Sequence, residues 1–311
     1  MEDTRRTPLF FDGGTDGEPA DRAVAAEYVL RRVTVPPSDP DFPPLEQFGL
    51  DRRIGYDDRQ FGEILVPRDL ATFRTDLTSV PQLLTWLVPK SGAHLPAALV
   101  HDGLVFDPDG DPEYLGDPTI TRVDADRIFR DAMRDAGTGA LRRWLVWSAV
   151  TIATLWSRQG TARTAAGRRY HQFAPIVVLA SIVWLGYQAT ADLVGRSGSW
   201  SCTYELPWIL GDTFWEEFVS GGVFAVLIPA VMSVVWGRYW RAGMIAGIAV
   251  AFLFHVTIGT ALVHAINVVL ETIATRGWGS VGYFGRSFVR RIDQIGTAFV
   301  VIAVVGVICA V

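Results

Sequence analysis

Beyond residue 173 the chain carries four stretches that are apolar for about the length a bilayer core demands: Ala174–Val194, Val219–Trp236, Gly243–Ile273 and Ile295–Val311. Nothing else in the sequence restricts the fold so strongly. One small domain cannot bury four helices that are apolar on every side. Trp200, Trp208, Trp236, Tyr239, Trp240 and Trp278 gather at the ends of these stretches, where amphipathic rings anchor a span at headgroup level. The expectation is an α-helical membrane bundle of four spans over residues 174–311.

Charge divides the chain at the same place. From Ala174 onward acidic and basic residues number seven each, so the formal net charge of −5 resides in the residues before it. All but one of the basic residues are arginine, Lys90 being the exception. An acidic total without a dominant basic patch argues against a nucleic-acid partner. Cys202 and Cys309 both lie in the apolar part, which suits a reducing compartment for the rest. The opening "MEDTRRTPLFFDGG" lacks the apolar core of a signal peptide, so no export of the N-terminal part is expected.

Residues 1–22 are polar and rich in Gly and Asp, and read as a mobile tail. Residues 23–158 read as a cytoplasmic α+β soluble domain, short strands followed by three or four helices. Strand-like runs occur at Tyr28–Val35, Arg53–Tyr56 and Phe61–Val66. Helices are expected in "SVPQLLTWLVP", from Pro96 to about Phe106, in "TRVDADRIFRDAMRDAG" and in "ALRRWLVWSAVTIATLWSR". Thr121 and Asp124 have capping-box spacing, and Gly137 is a stop signal. The run Trp144–Trp156 is read as the domain's last helix, lying on a bilayer, or as a shallow fifth span. Residues 159–173 form a basic connector, and Arg158, Arg163, Arg168 and Arg169 place the soluble domain in the bacterial cytoplasm by the positive-inside rule. Arg276, Arg286, Arg290 and Arg291 would then face outward, against that rule.

"PAALVHDGLVF" sets His101 and Asp102 side by side in an apolar helix. At about 100° per residue, His101 shares a face with Ala97, Ala98, Leu104 and Val105. Asp126 lies in line with Val123, Phe129 and Met133 on the third expected helix. Antiparallel packing of the two helices would bring His101 to Asp126, the arrangement in which an acid orients an imidazole for general-base catalysis. A structural pair buried in a core satisfies the same pattern, and both readings stand. Asp102 faces another way, where with Asp76 from "FRTDLTSVP" it is a candidate ligand for a divalent cation. Ser79 in that stretch reads as a helix cap. The acidic "FDPDGDPEYLGD" lacks the EF-hand spacing and reads as a solvated loop.

The blocks "VPRDLATFRTDLTSVP", "PAALVHDGLVF" and "TRVDADRIFRDAM", in that order, resemble a family of small uncharacterised phage and bacterial proteins. That likeness covers roughly Tyr28–Trp156 and leaves the spans outside; it implies no activity. The pair "PAALVHDGLVF" and "RVDADRIFRDAM" also looks like the two catalytic helices of secretory phospholipases of the A-two type. That resemblance implies His101 as the base activating water, Asp126 as its orienting acid, and Asp102 with the Asp76–Leu77 backbone as a calcium site. The disulfides of those enzymes and their Gly-rich calcium loop are missing here.

In the apolar part, His264, Asn267 and Glu271 share one helical face, as a conducting path or an interhelical polar seam would. Candidate partners are the lipid bilayer and further copies of the chain. Three functions follow from these expectations. One is a membrane-anchored hydrolase cleaving lipid esters. Another is a non-catalytic cytoplasmic sensor controlling a pore-forming or membrane-disrupting bundle. The third is a phage-derived scaffold whose soluble domain binds a partner.

Overall fold

The computed structural model describes residues 8–35, 45–77, 91–106, 111–116, 119–157, 164–193, 206–207, 210–211 and 213–276, with only some of the side chains beyond Leu253. It separates into two compact units that part between Trp156 and Ala165.

The first unit is α+β. Six strands come first: β1 (Phe10–Asp12), β2 (Asp21–Ala25), β3 (Leu30–Val35), β4 (Leu45–Leu50), β5 (Ile54–Asp58) and β6 (Gly62–Val66). All pairings are antiparallel, in a four-stranded sheet ordered β2-β1-β5-β6 and a two-stranded β3-β4 ribbon. β5 and β6 form a hairpin whose turn closes at Gly62, where φ is +72°, a conformation glycine adopts without Cβ strain. The Asp58 carboxylate steadies that turn by accepting from Gln60 N and Phe61 N, each at 3.0 Å.

The expected tail of residues 1–22 is corrected from Phe10 onward. β1 is an inner strand, pairing Phe10 with Tyr56 and Phe11 with Gly55, and Phe11 is fully buried. Burial of one aromatic ring outweighs the turn-forming composition around it. Arg52 holds the following loop, donating to Asp12 at 3.1 and 2.6 Å and to Glu18 at 2.9 Å.

Three helices complete the unit: α1 (Leu95–Leu104), α2 (Arg122–Asp135) and α3 (Ala140–Trp156). α2 begins as its sequence implies, with the Thr121 side chain accepting from Asp124 N at 3.3 Å. It ends at Gly137, where φ is +79° and Thr138 N donates to the Met133 carbonyl at 2.8 Å, a Schellman-type closure. α1 lies on β5 and β6 and packs against α2, which packs against α3. Gly103 allows that approach, because a Cβ there would meet Val66 Cγ1 at 2.4 Å. The core between sheet and helices includes Ile54, Tyr56, Ile64, Val66, Leu99 and Leu104 with Ile128, Phe129 and Met133.

The second unit contains α4 (Ala165–Leu193), α5 (Phe214–Met232) and α6 (Trp240–Arg276). A 3-10 turn, Ser233–Tyr239, joins the last two, and inside it Gly237 has φ 57°, ψ −123°. There the chain reverses. A Cβ on Gly247 would lie 2.8 Å from Pro229 Cβ and 2.9 Å from Ile182 Cδ1, so α5, α6 and α4 meet at one small residue.

Among the described residues, two stretches are long and apolar enough to cross a membrane, Ala165–Asp192 and Phe214–Leu253, rather than four. The second includes the reversal at Gly237 and so falls across the second and third expected spans. The fourth, Ile295–Val311, lies outside the described residues, as do the expected Ser79 helix and residues 159–163 of the basic connector; from Ala165 the expected connector is instead the start of helix α4. Only 33% and 11% of the two apolar windows are buried, which is unlike a core helix. Instead Phe214, Trp215, Phe218, Val219, Leu227 and Val231 project outward from α5.

Candidate functional site

α1 and α2 bring together the two ionisable groups that interrupt their apolar faces. His101 Nε2 lies 3.1 Å from Asp126 Oδ1, and the two side chains are 10% and 5% exposed. The imidazole also stacks on Phe129, one turn along α2 from Asp126, with ring centroids 4.6 Å apart. The ring is therefore held at one edge by a carboxylate and on one face by an aromatic. An ionised carboxylate only accepts, so a neutral imidazole bonded to it carries its proton on Nε2 and its lone pair on Nδ1. A hydrogen bond to a charged group contributes about 1.5–3 kcal/mol, and leaving the buried acid unpaired would cost comparably.

Arg122 stands four residues before Asp126 on α2 and donates through Nε to Thr154 Oγ1 of α3 at 3.2 Å. Burial pushes its guanidinium pKa down, and the negative charge of Asp126 works against that. Asp126 thus has an imidazole hydrogen-bonded to it and a guanidinium nearby.

Asp102 does not join the His101 bond. Its carboxylate accepts from the Thr75 hydroxyl, a partner the sequence reading passed over in favour of Asp76. Thr75 is fixed by its own backbone, which exchanges hydrogen bonds with Phe48 of β4 at 2.8 and 2.9 Å. Its Oγ1 also accepts from Leu77 N at 2.8 Å, closing a turn in which Leu77 takes φ +71°. The short sequence Thr75-Asp76-Leu77 thereby presents a hydroxyl to α1. A little of Asp102 remains accessible, but protein atoms crowd its carboxyl on most sides. That desolvation raises its pKa to about 6; the Thr75 bond and the nearby imidazole oppose the rise, while the charge of Asp76 adds to it.

The described donors around Asp102 are by themselves too few for a calcium site. Among the described residues no three His, Cys, Asp or Glu side chains gather in metal-binding proximity. Calcium takes six to eight oxygens. Asp102 and Asp76 supply two carboxylates, one of them engaged by Thr75.

A second polar cluster on α2 is structural in its geometry. Arg127 donates to both oxygens of Asp58 at 3.0 and 2.9 Å, and Tyr56 donates to Asp135 at 3.0 Å. Burial works to raise the Asp58 pKa, but the Arg127 bonds and the two turn amides hold it below the usual carboxylate range. These contacts fasten β5 to the α2 face turned away from His101.

His94 was absent from the sequence expectations. It occupies the N-cap position of α1 and is fully buried, and a histidine two residues after a glycine in "KSGAHLP" gives no signal of that. Of the polar face expected in the apolar part, Asn267 is exposed on α6; His264 and Glu271 lie on the same helix with side chains outside the described set.

No curated protein and no solved structure matches this chain. The region holding Thr75, His101, Asp102 and Asp126 is different: residues 48–150 match the model of an uncharacterised domain family, described as a protein of unknown function (DUF1353).

Proposed function

We propose that the first unit is a hydrolase domain acting on ester bonds of membrane lipids, with His101 as its general base and the apolar helices as its anchor. The observation that carries this reading is the buried His101–Asp126 bond, through which a neutral ring would present Nδ1 as acceptor. In the reaction Nδ1 takes a proton from water while the water oxygen forms a bond to the ester carbonyl carbon. Asp126 stabilises the imidazolium so formed. The tetrahedral oxyanion collapses, the carbon–oxygen bond to the leaving alcohol breaks, and the imidazolium returns its proton to that oxygen. The products are a carboxylic acid and an alcohol. No step uses a cation. In the same reading Ile295–Val311 completes a four-span bundle, and the first unit occupies the cytoplasmic side of a bacterial inner membrane.

The test is acid release from phospholipid vesicles by the purified full chain, with calcium and with chelator. His101→Ala should lower the rate about 10²–10⁴-fold, as loss of a general base does, and Asp126→Asn should follow it. Both variants should keep the wild-type circular dichroism. A wild-type protein inactive on every lipid ester tried, or a His101→Ala protein of undiminished rate, contradicts the proposal.

The depth of the pair favours one other reading. A dyad this enclosed also serves as a prop in a module that binds a partner and controls the bundle. In that case any loss of function on substitution should track loss of folded protein.

A further inference from the structure

At one end of the second unit the helices gather arginines and aromatic rings from two separate parts of the chain. The start of α4 supplies Arg168, Arg169, Tyr170 and His171, and the reversal between α5 and α6 supplies Arg238, Tyr239, Trp240 and Arg241. Contacts place the two segments together: Tyr170 Oη donates to the Val235 carbonyl at 2.5 Å, and the His171 ring meets Tyr239 edge-on at 5.9 Å. Arg168, Arg169, Arg238 and Arg241 are all exposed. Among the described residues none of the four is paired with a carboxylate. Arg238 and Arg241 sit over the rings of Tyr239 and Trp240, at 5.3 and 5.5 Å. The opposite ends of α4 and α5 carry Asp192, Glu216 and Glu217 instead.

Helix flanks just inside this end are apolar and outward-facing, with Phe173, Val177, Val234 and Val235 exposed. Along the start of α4 come Arg168 and Arg169, then Tyr170, and then the exposed hydrocarbon of Phe173 and Val177. That is the order in which a bilayer presents phosphates, the glycerol region and acyl chains. Guanidinium forks match phosphate oxygens two by two, and basic residues at a membrane surface each contribute about a fivefold preference for anionic lipid.

We infer that this arginine–aromatic end is a docking surface for anionic phospholipid headgroups, assembled when the α5–α6 reversal closes onto the start of α4. The inference rests on the anchoring part of the proposal above and not on the hydrolysis. It adds Arg238 and Arg241 to the arginines of the connector and binds them as one site.

The experiment is native mass spectrometry of the detergent-solubilised full chain titrated with phosphatidylglycerol or phosphatidylcholine of equal acyl length. Wild type should retain phosphatidylglycerol at least about fivefold better, with the preference falling as salt rises. The fourfold variant R168Q/R169Q/R238Q/R241Q should lose the preference. The corresponding four Arg→Lys substitutions should keep most of it, and Glu217→Gln at the other end should leave it unchanged. Unaltered helical circular dichroism in the variants separates lost binding from lost folding. Equal retention of the two lipids by wild type, or undiminished preference in the fourfold Gln variant, overturns the inference. So does displacement of the lipid by inorganic phosphate at equal concentration, which would mark a free-phosphate site. Flotation of wild type with neutral vesicles tests the anchor separately: failure there refutes the anchoring, whereas the headgroup inference fails on lipid preference.

Discussion

Helices α2 and α5 differ by only five residues in length, yet they turn opposite faces to their own units. α2 buries Ala125, Ile128, Phe129, Ala132 and Met133 and surrounds them with paired charges such as Arg127–Asp58. α5 buries only Pro229 and turns Phe214, Trp215, Phe218, Val219 and Val231 outward. Water drives apolar groups inward in the first case; in the second, a surface of this size without polar cover asks for a non-aqueous surrounding. Burying the two ionisable groups His101 and Asp126 in the first unit costs stability, which a well-packed apolar pair would not.

The largest effect expected from this contrast is at Phe129. Phe129→Ala removes a ring that is 2% exposed and stacked on His101, and should cost about 3–5 kcal/mol by chemical denaturation of the full chain in detergent. Phe218→Ala on α5, where the ring is 56% exposed, should leave stability in detergent unchanged within error. Equal losses at the two positions would erase the distinction drawn between the units.

Glycines give the next test. Gly103→Ala should cost about 1–3 kcal/mol, because its Cβ would press on Val66 and push α1, with His101, off the sheet. Gly222→Ala on α5, where a Cβ meets nothing within 4 Å, should be neutral or gain up to about 1 kcal/mol from helix propensity. A thermal melt of each variant distinguishes the two.

Asp102 supplies a pH-dependent prediction. Its folded pKa, about 6, lies above the ordinary 3.8, so the folded protein holds a proton that the unfolded chain releases. That contribution is complete below about pH 4 and is lost as pH rises through about 6. Asp102→Asn should therefore match wild type near pH 4 and exceed it by roughly 3 kcal/mol at pH 7.5, measured as the free energy of unfolding from denaturant titrations. A variant destabilised at both pH values would mean that the Thr75–Asp102 bond outweighs desolvation. The smallest effect concerns Thr121: its cap on α2 should contribute about 1 kcal/mol, lost in Thr121→Ala.

Much of this architecture was legible in the sequence, for reasons that differ by element. α2 announced both ends, through Thr121 and Gly137, and its apolar stripe named the face that meets α1. His101 and Asp126 stood out because each breaks such a stripe. The break between α5 and α6 was visible as Trp-Gly-Arg-Tyr-Trp, and Gly237 is where the chain turns. β1 was not legible, since a three-residue strand has too little alternation to register and is specified by its neighbours β2 and β5. Thr75 was hidden for a related reason. Its bond to Asp102 depends on the Leu77 backbone and the Phe48 bridge, and neither leaves a mark in local composition.

His101 is one of only five histidines in the chain, few enough to assign singly. Nitrogen-15 NMR of the histidine-labelled full chain in lipid nanodiscs reads each ring nitrogen directly. At pH 8 His101 should show its proton on Nε2 and a lone pair on Nδ1, and Asp126→Asn should abolish that preference while the other rings keep theirs. A His101 ring protonated on Nδ1, or one indifferent to Asp126→Asn, would contradict the claim that this pair holds a base ready for water.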